Sequence, residues 1–129
     1  MRKTLEEAAC KAREQAYAPY SHFLVGAAVE GGSGAVYTGA NVENASYSLT
    51  ICAERTAIAQ AVSAGERVIR AVAVCTENGV TPCGACRQVI REFAAADCPV
   101  YVLDAQGGRR ATTMAALLPQ SFGPDDLEE

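Results

Sequence analysis

The sequence predicts an α/β fold in which a mixed β-sheet carries helices on both faces. Three observations predict it. Apolar runs with strand-like composition recur at residues 23–29, 68–74 and 99–103. Segments with helical spacing alternate with them. The strand–helix–strand order of the later half makes its strands parallel. A chain of 129 residues buries a hydrophobic core without staples. No repeat, linker or low-complexity tract divides it, so residues 1–129 are expected to form a single domain.

Element by element, Thr4 followed by Glu7 fits a capping box, and Leu5, Ala8, Ala9, Ala12 and Ala16 form a narrow apolar stripe. This helix should stop before Pro19. Residues 23–29 then read as a strand, Gly31-Gly32-Ser33-Gly34 as a turn, and 35–40 as the returning arm of a hairpin. Residues 41–50 are polar and irregular. A second helix follows over about 52–64, with Gly65 placed as its stop. Residues 68–74 are almost wholly apolar, which suits a buried strand. Thr81-Pro82 opens a third helix over roughly 83–95, with proline near its first turn. A short strand at 99–103 and a short helix at 113–118 complete the pattern.

Charge and cysteine content narrow the chemistry. The net charge is −4, and acid gathers in the tail Asp125-Asp126-Leu127-Glu128-Glu129. That tail is expected to be solvated. No basic face of the kind that binds nucleic acid is present, so a small, mostly neutral ligand suits the chain better. Charges run through the first residues, which argues against a signal peptide. No segment approaches the ~20 apolar residues of a membrane helix. A cytoplasmic protein keeps its thiols reduced, and there Cys83-Gly84-Ala85-Cys86 is either a metal clamp or a redox pair.

Cys83 and Cys86 stand three apart at a helix start, so both sulfurs can face one point. Cys52 sits at the start of another helix. Helix N-termini favour thiolate over thiol, and three converging thiolates make a tetrahedral zinc site with one open position. An open position marks catalytic zinc. The only histidine, His22, lies in a loop-like segment without partner spacing. Glu54, two residues after Cys52, reaches the open position if the helix start is irregular; alone, it reads as a first-turn glutamate favoured by the dipole. Cys10, Cys75 and Cys98 read as packing thiols.

Together, Cys52-Ala53-Glu54 and Pro82-Cys83-Gly84-Ala85-Cys86 resemble the signature of zinc nucleoside and nucleobase deaminases in its three-cysteine variant. Further blocks narrow the resemblance to the small homotetrameric cytidine deaminases. Tyr20-Ser21-His22-Phe23-Leu24-Val25-Gly26-Ala27-Ala28 resembles that family's first strand, and Thr38-Gly39-Ala40-Asn41-Val42-Glu43-Asn44-Ala45-Ser46-Tyr47 its ribose segment. The tail from Leu118 to Leu127 is similar as well. The resemblance implies a three-layer α-β-α sandwich with a five-stranded mixed sheet.

It also implies hydrolytic deamination of cytidine and 2′-deoxycytidine, as in pyrimidine salvage. One zinc ion per subunit is held by Cys52, Cys83 and Cys86, and a zinc-activated water attacks C4 while Glu54 shuttles protons. Asn41 and Glu43 match ribose-binding positions, Phe23 an aromatic that packs on the pyrimidine, and the backbone of Ala53 a contact to the base. Tyr47 and Phe122 match residues contributed across subunits, which implies a homotetramer with shared sites. Arg55 matches an arginine that hydrogen-bonds the cysteine sulfurs and offsets their excess negative charge. Arg87 and Gln88 are expected to support the zinc helix. One rival is a deaminase of the same fold for another cytosine nucleoside, such as a nucleoside antibiotic. The other is a structural zinc or redox module, which has no need of Glu54.

Overall fold

The computed structural model describes residues 2–127. Its helices are α1 (Arg2–Ala12), α2 (Ala53–Ser63), α3 (Gly84–Phe93) and α4 (Met114–Leu117), and its strands are β1 (Gly26–Gly31), β2 (Val36–Ala40), β3 (Ile69–Cys75), β4 (Pro99–Leu103) and β5 (Arg109–Thr113). The strands form one mixed sheet in the order β2-β1-β3-β4-β5. β1 runs antiparallel to both neighbours, and β3 and β4 are parallel, with Val72 opposite Val100 and Cys75 opposite Leu103.

Alternation along the strands divides the core. Val72 and Val74 of β3 point to the side covered by α2, α3 and α4, where Ile58, Ile90 and Met114 are buried. Ala71, Ala73 and Cys75 point to the other side and meet Leu5 and Ala9 of α1. Helices therefore lie on both faces, giving the expected three layers. The α2 face is drawn tight at Gly39, where a β-carbon would lie 2.5 Å from the Ala57 nitrogen and 2.8 Å from the Ala53 carbonyl oxygen. Only glycine allows the first turns of α2 to rest on β2 so closely, and those turns carry the site.

Several boundaries differ from the sequence expectations. α1 already includes Arg2, so Thr4 sits inside the helix and the capping box with Glu7 is not its N-terminus. The first strand begins at Gly26, not residue 23, and extends to Gly31. The Val25 N–H donates to the Asn41 side-chain oxygen at 3.0 Å while its carbonyl accepts from the Asn41 N–H at 3.3 Å, so the Asn41 amide takes the place of one ladder bond there. β5, with the polar sequence Arg-Arg-Ala-Thr-Thr, has no counterpart in the residue-by-residue reading. The tail is more anchored than expected, since Asp125 pairs with Arg91 at 3.1 Å and Asp126 accepts from the Gly123 N–H. Glu128 and Glu129 lie outside the described residues.

Candidate metal centre and active site

Two helix starts and the end of β3 converge on one spot. Cys52 is the N-cap of α2 and Cys83 the N-cap of α3, both in extended backbone, and neither side chain caps its helix. Their sulfurs are thus turned away from the helix axis and toward each other, 3.9 Å apart. Cys86, in the first turn of α3, brings a third sulfur, and the three lie within 4.8 Å of one another. Sulfurs about 2.3 Å from a tetrahedral zinc ion sit roughly 3.8 Å apart, so the donor set and its spacing fit zinc. His22 is not part of this group; its left-handed backbone (φ 59°) places it in the loop before β1.

Electrostatics favour negative charge on the cluster. The Cys52 thiol is drawn down to about 5, first by a hydrogen bond from Cys86 and then, against burial, by Arg55. Cys86, the donor in that pair, is pushed up in turn. Arg55 donates from Nη2 to the Thr50 carbonyl at 3.2 Å and to the Cys52 sulfur at 3.7 Å. Its Nε is buried with no hydrogen-bond partner among the described residues. A cation so placed offsets thiolate charge, as expected for Arg55.

Glu54 is only 4% exposed. Because Cys52 is outside the helix and Glu54 just inside it, the two side chains reach the same space despite a spacing that separates them on a regular helix. Burial is the main force raising the Glu54 carboxyl above the ordinary carboxylate range. A carboxyl raised in this way takes up a proton more readily than a solvated one, which suits acid–base work.

The sulfur cluster and Glu54 border a cavity of ≈ 290 Å³, near the lower end of small-ligand sites. Of the predicted residues, Phe23, Asn41, Glu43, Cys52, Ala53, Glu54 and Cys83 line it. Asn41 is buried and spends both ends of its amide on the segment leading into β1, accepting from the Val25 N–H and donating to the Phe23 carbonyl at 2.8 Å. The Glu43 carboxylate accepts from the Tyr20 N–H at 2.9 Å, the Ser21 N–H at 3.1 Å and the Ser21 hydroxyl. Those contacts, led by the hydroxyl, hold Glu43 below the usual carboxylate range. Tyr47 and Phe122 do not line this cavity, and they are 74% and 58% exposed.

Sequence reasoning missed part of the wall. Ser21 and Thr76 line the cavity. The Thr76 hydroxyl accepts from the N–H groups of Gly79 at 2.8 Å and Val80 at 3.2 Å, shaping the loop that leads to Cys83. The signal available was a threonine at a strand end ahead of Asn78-Gly79, a common turn arrangement. Arg87 performs the expected support. It donates to the carbonyls of Pro82 at 2.7 Å and Leu117 at 2.6 Å, and to the Thr81 hydroxyl, tying the α3 start to α4. Gln88 donates to the Phe122 carbonyl at 2.9 Å.

The model of the cytidine and deoxycytidylate deaminase zinc-binding region matches residues 1–102. A cytidine deaminase of Sporosarcina psychrophila is 55% identical over 91% of this chain and 88% of its own length. That of Halalkalibacterium halodurans is 49% identical over 99% of this chain and 98% of its own. The crystal structure of cytidine deaminase from Burkholderia pseudomallei superposes with a TM-score of 0.90 at 48% identity, covering 95% of this chain and 99% of that one. Three sulfurs spaced for zinc beside a buried glutamate agree with these likenesses, and the chain belongs to the family of zinc-binding cytidine and deoxycytidylate deaminases.

Proposed function

We propose that this enzyme hydrolyses free cytidine and 2′-deoxycytidine to uridine and 2′-deoxyuridine, releasing ammonia. The observation that carries the reading is Glu54, buried at the three-sulfur cluster on a cavity whose other wall holds Asn41 and Glu43. Cys52, Cys83 and Cys86 would hold zinc at the edge of that cavity. The chemistry zinc supplies when bound is the ionisation of water at neutral pH. Glu54 takes the proton of the attacking water and passes it to N3 of the pyrimidine, then takes the proton of the new C4 hydroxyl and delivers it to the departing amine. Arg55, donating to the Cys52 sulfur, keeps the thiolate cluster electron-poor enough for that ionisation.

Specificity resides in the opposite wall. Carboxylate oxygens accept more than one hydrogen bond, so Glu43 can receive a ribose hydroxyl while its contacts to residues 20 and 21 persist. Asn41 retains one N–H and one lone pair for the sugar. Phe23 packs on the base, and the Ala53 backbone bonds to its polar edge. Tyr47 and Phe122 act at a neighbouring subunit's cavity within a homotetramer, which accounts for two exposed aromatics outside their own cavity. Residues 1–129 work as one domain in the cytoplasm; among the described residues no helix is long and apolar enough to cross a membrane.

Zinc-loaded protein incubated with cytidine or deoxycytidine should lose cytosine absorbance and release ammonia in equal amounts. Absence of turnover on both nucleosides overturns the reading.

A further inference from the structure

Away from the cavity, two cysteines lie together that the deamination reaction does not use. Cys10 on α1 and Cys75 at the end of β3 are 65 residues apart in the chain, and their sulfurs approach to 2.7 Å. An S–S bond is about 2.05 Å long, so covalent closure needs only a small movement of two side chains. Both cysteines line a second cavity of ≈ 390 Å³, together with Arg13, Leu24 and Asp104. Cys75 is itself buried, whereas Cys10 is partly exposed. A solvent-borne reagent therefore meets Cys10 first.

We propose that Cys10 and Cys75 form a reversible redox-modification site, oxidised by low-molecular-weight disulfides to an intramolecular disulfide that staples α1 to β3. Cys10 loses its proton to solvent, and its sulfur attacks one sulfur of the small disulfide, expelling one thiolate. The Cys75 sulfur then displaces the second small thiol from Cys10, giving up its proton to the expelled thiolate. Two protein thiols become one disulfide, and the small disulfide is reduced to two thiols. Burial and the neighbouring Cys10 push the Cys75 thiol up to about 12, which makes it the poorer first attacker, and its part is the intramolecular step that the 2.7 Å approach favours.

The staple would join two supports of the catalytic cavity. Val74 and Thr76, which flank Cys75, line that cavity. Arg13 follows Cys10 by three residues and holds the Leu24 carbonyl, between Phe23 and Val25, at 2.9 Å. A β-carbon on Gly26 would lie 2.1 Å from the Ala9 carbonyl oxygen, so α1 already rests on this segment with no slack.

The test uses the zinc-loaded full chain treated with glutathione disulfide, then digested without reduction and mapped by mass spectrometry. The expected product is a cross-linked pair of peptides bearing Cys10 and Cys75, lacking two hydrogens and restored by dithiothreitol. A Tm higher by several degrees should accompany it, because the bridge closes a long loop. In Cys10→Ser both the cross-link and the Tm rise should vanish while deamination by the reduced protein is unchanged. Cys75→Ala supplies a second variant with the same expectation. Glutathione retained on Cys10 with Cys75 still reduced overturns the proposal. So does an equal Tm rise in Cys10→Ser.

Discussion

The two helix starts and the 41–51 segment border the same cavity, yet they are built in opposite ways. At the helix starts most of the chemistry is enclosed: Ala53, Glu54 and Cys86 are buried, Cys52 is half-buried, Cys83 alone of the three cysteines is exposed, and Arg55 bridges the Thr50 carbonyl and the Cys52 sulfur. Along 41–51 the chain turns apolar groups outward. Tyr47 and Leu49 are 74% and 63% exposed, Ile51 and Val42 are exposed beside them, and the Tyr20 ring meets Tyr47 edge to face at 6.0 Å. Contiguous exposed apolar surface of this kind marks an interaction site. The reacting groups thus come from one chain, whereas the exposed apolar groups beside the mouth are where the proposed neighbouring subunit would sit.

The sharpest test of the enclosed half is Glu54→Ala. If Glu54 moves the protons, turnover falls by about 10²- to 10⁴-fold while zinc, measured by atomic absorption, stays bound. Full activity in that variant breaks the assignment. Loss of zinc together with activity gives Glu54 a role in metal retention instead.

Arg55→Ala is expected to act next most strongly, lowering zinc affinity or turnover by about 10- to 100-fold, the usual range for a group that tunes a metal's ligands. Competition against a chelator and steady-state rates check the two readouts separately. Both contacts leave the same Nη2, so Arg55→Lys retains the charge and one donor nitrogen but loses the planar guanidinium that sets its position. Intermediate values for lysine would show that shape as well as charge matters. No change in either readout would reduce Arg55 to a packing contact with the Thr50 carbonyl, without influence on the metal site.

For the exposed half, Leu49→Asp places a charge in the apolar arc. The native chain should sediment as an assembly, and the variant as a smaller species with reduced activity. A native chain that sediments as a monomer with full turnover breaks the comparison, because the mouth would then be complete without a neighbour.

How far the sequence alone could lead follows the same division. The enclosed half was legible because its signals are local and strong: cysteine spacing, a proline before a helix, and runs of Val and Ile. β4 spans the expected residues 99–103, and α2 and α3 fall within about two residues of expectation. β5 was illegible residue by residue because an edge strand with its first three residues exposed needs no apolar pattern. The start of the first strand was misplaced because the Asn41 amide takes the Val25 N–H, a long-range event no local window contains. The Cys10–Cys75 approach across 65 residues was invisible for the same reason. Tyr47 and Phe122 entered only through resemblance, since spacing carries no information about surfaces that would meet another chain.

The smallest effect concerns the border between the halves, where Ser21 holds Glu43. Hydrogen bonds from the Ser21 hydroxyl lower the Glu43 carboxyl, so in the folded protein it stays ionised at pH values where a free carboxyl begins to protonate. The clamp's contribution is therefore complete above the unfolded carboxyl's range and is lost as pH falls through the lowered folded value. If Glu43 receives a ribose hydroxyl, nucleoside KM should stay flat on acidification and rise only below the usual carboxylate range. Ser21→Ala removes the leading cause of the shift, and the acid limb of log(1/KM) should then move to higher pH with kcat at neutral pH little changed. Coincident limbs for the two proteins would detach Glu43 from sugar binding. A fall in neutral kcat instead would move Ser21 from the mouth to the reacting centre.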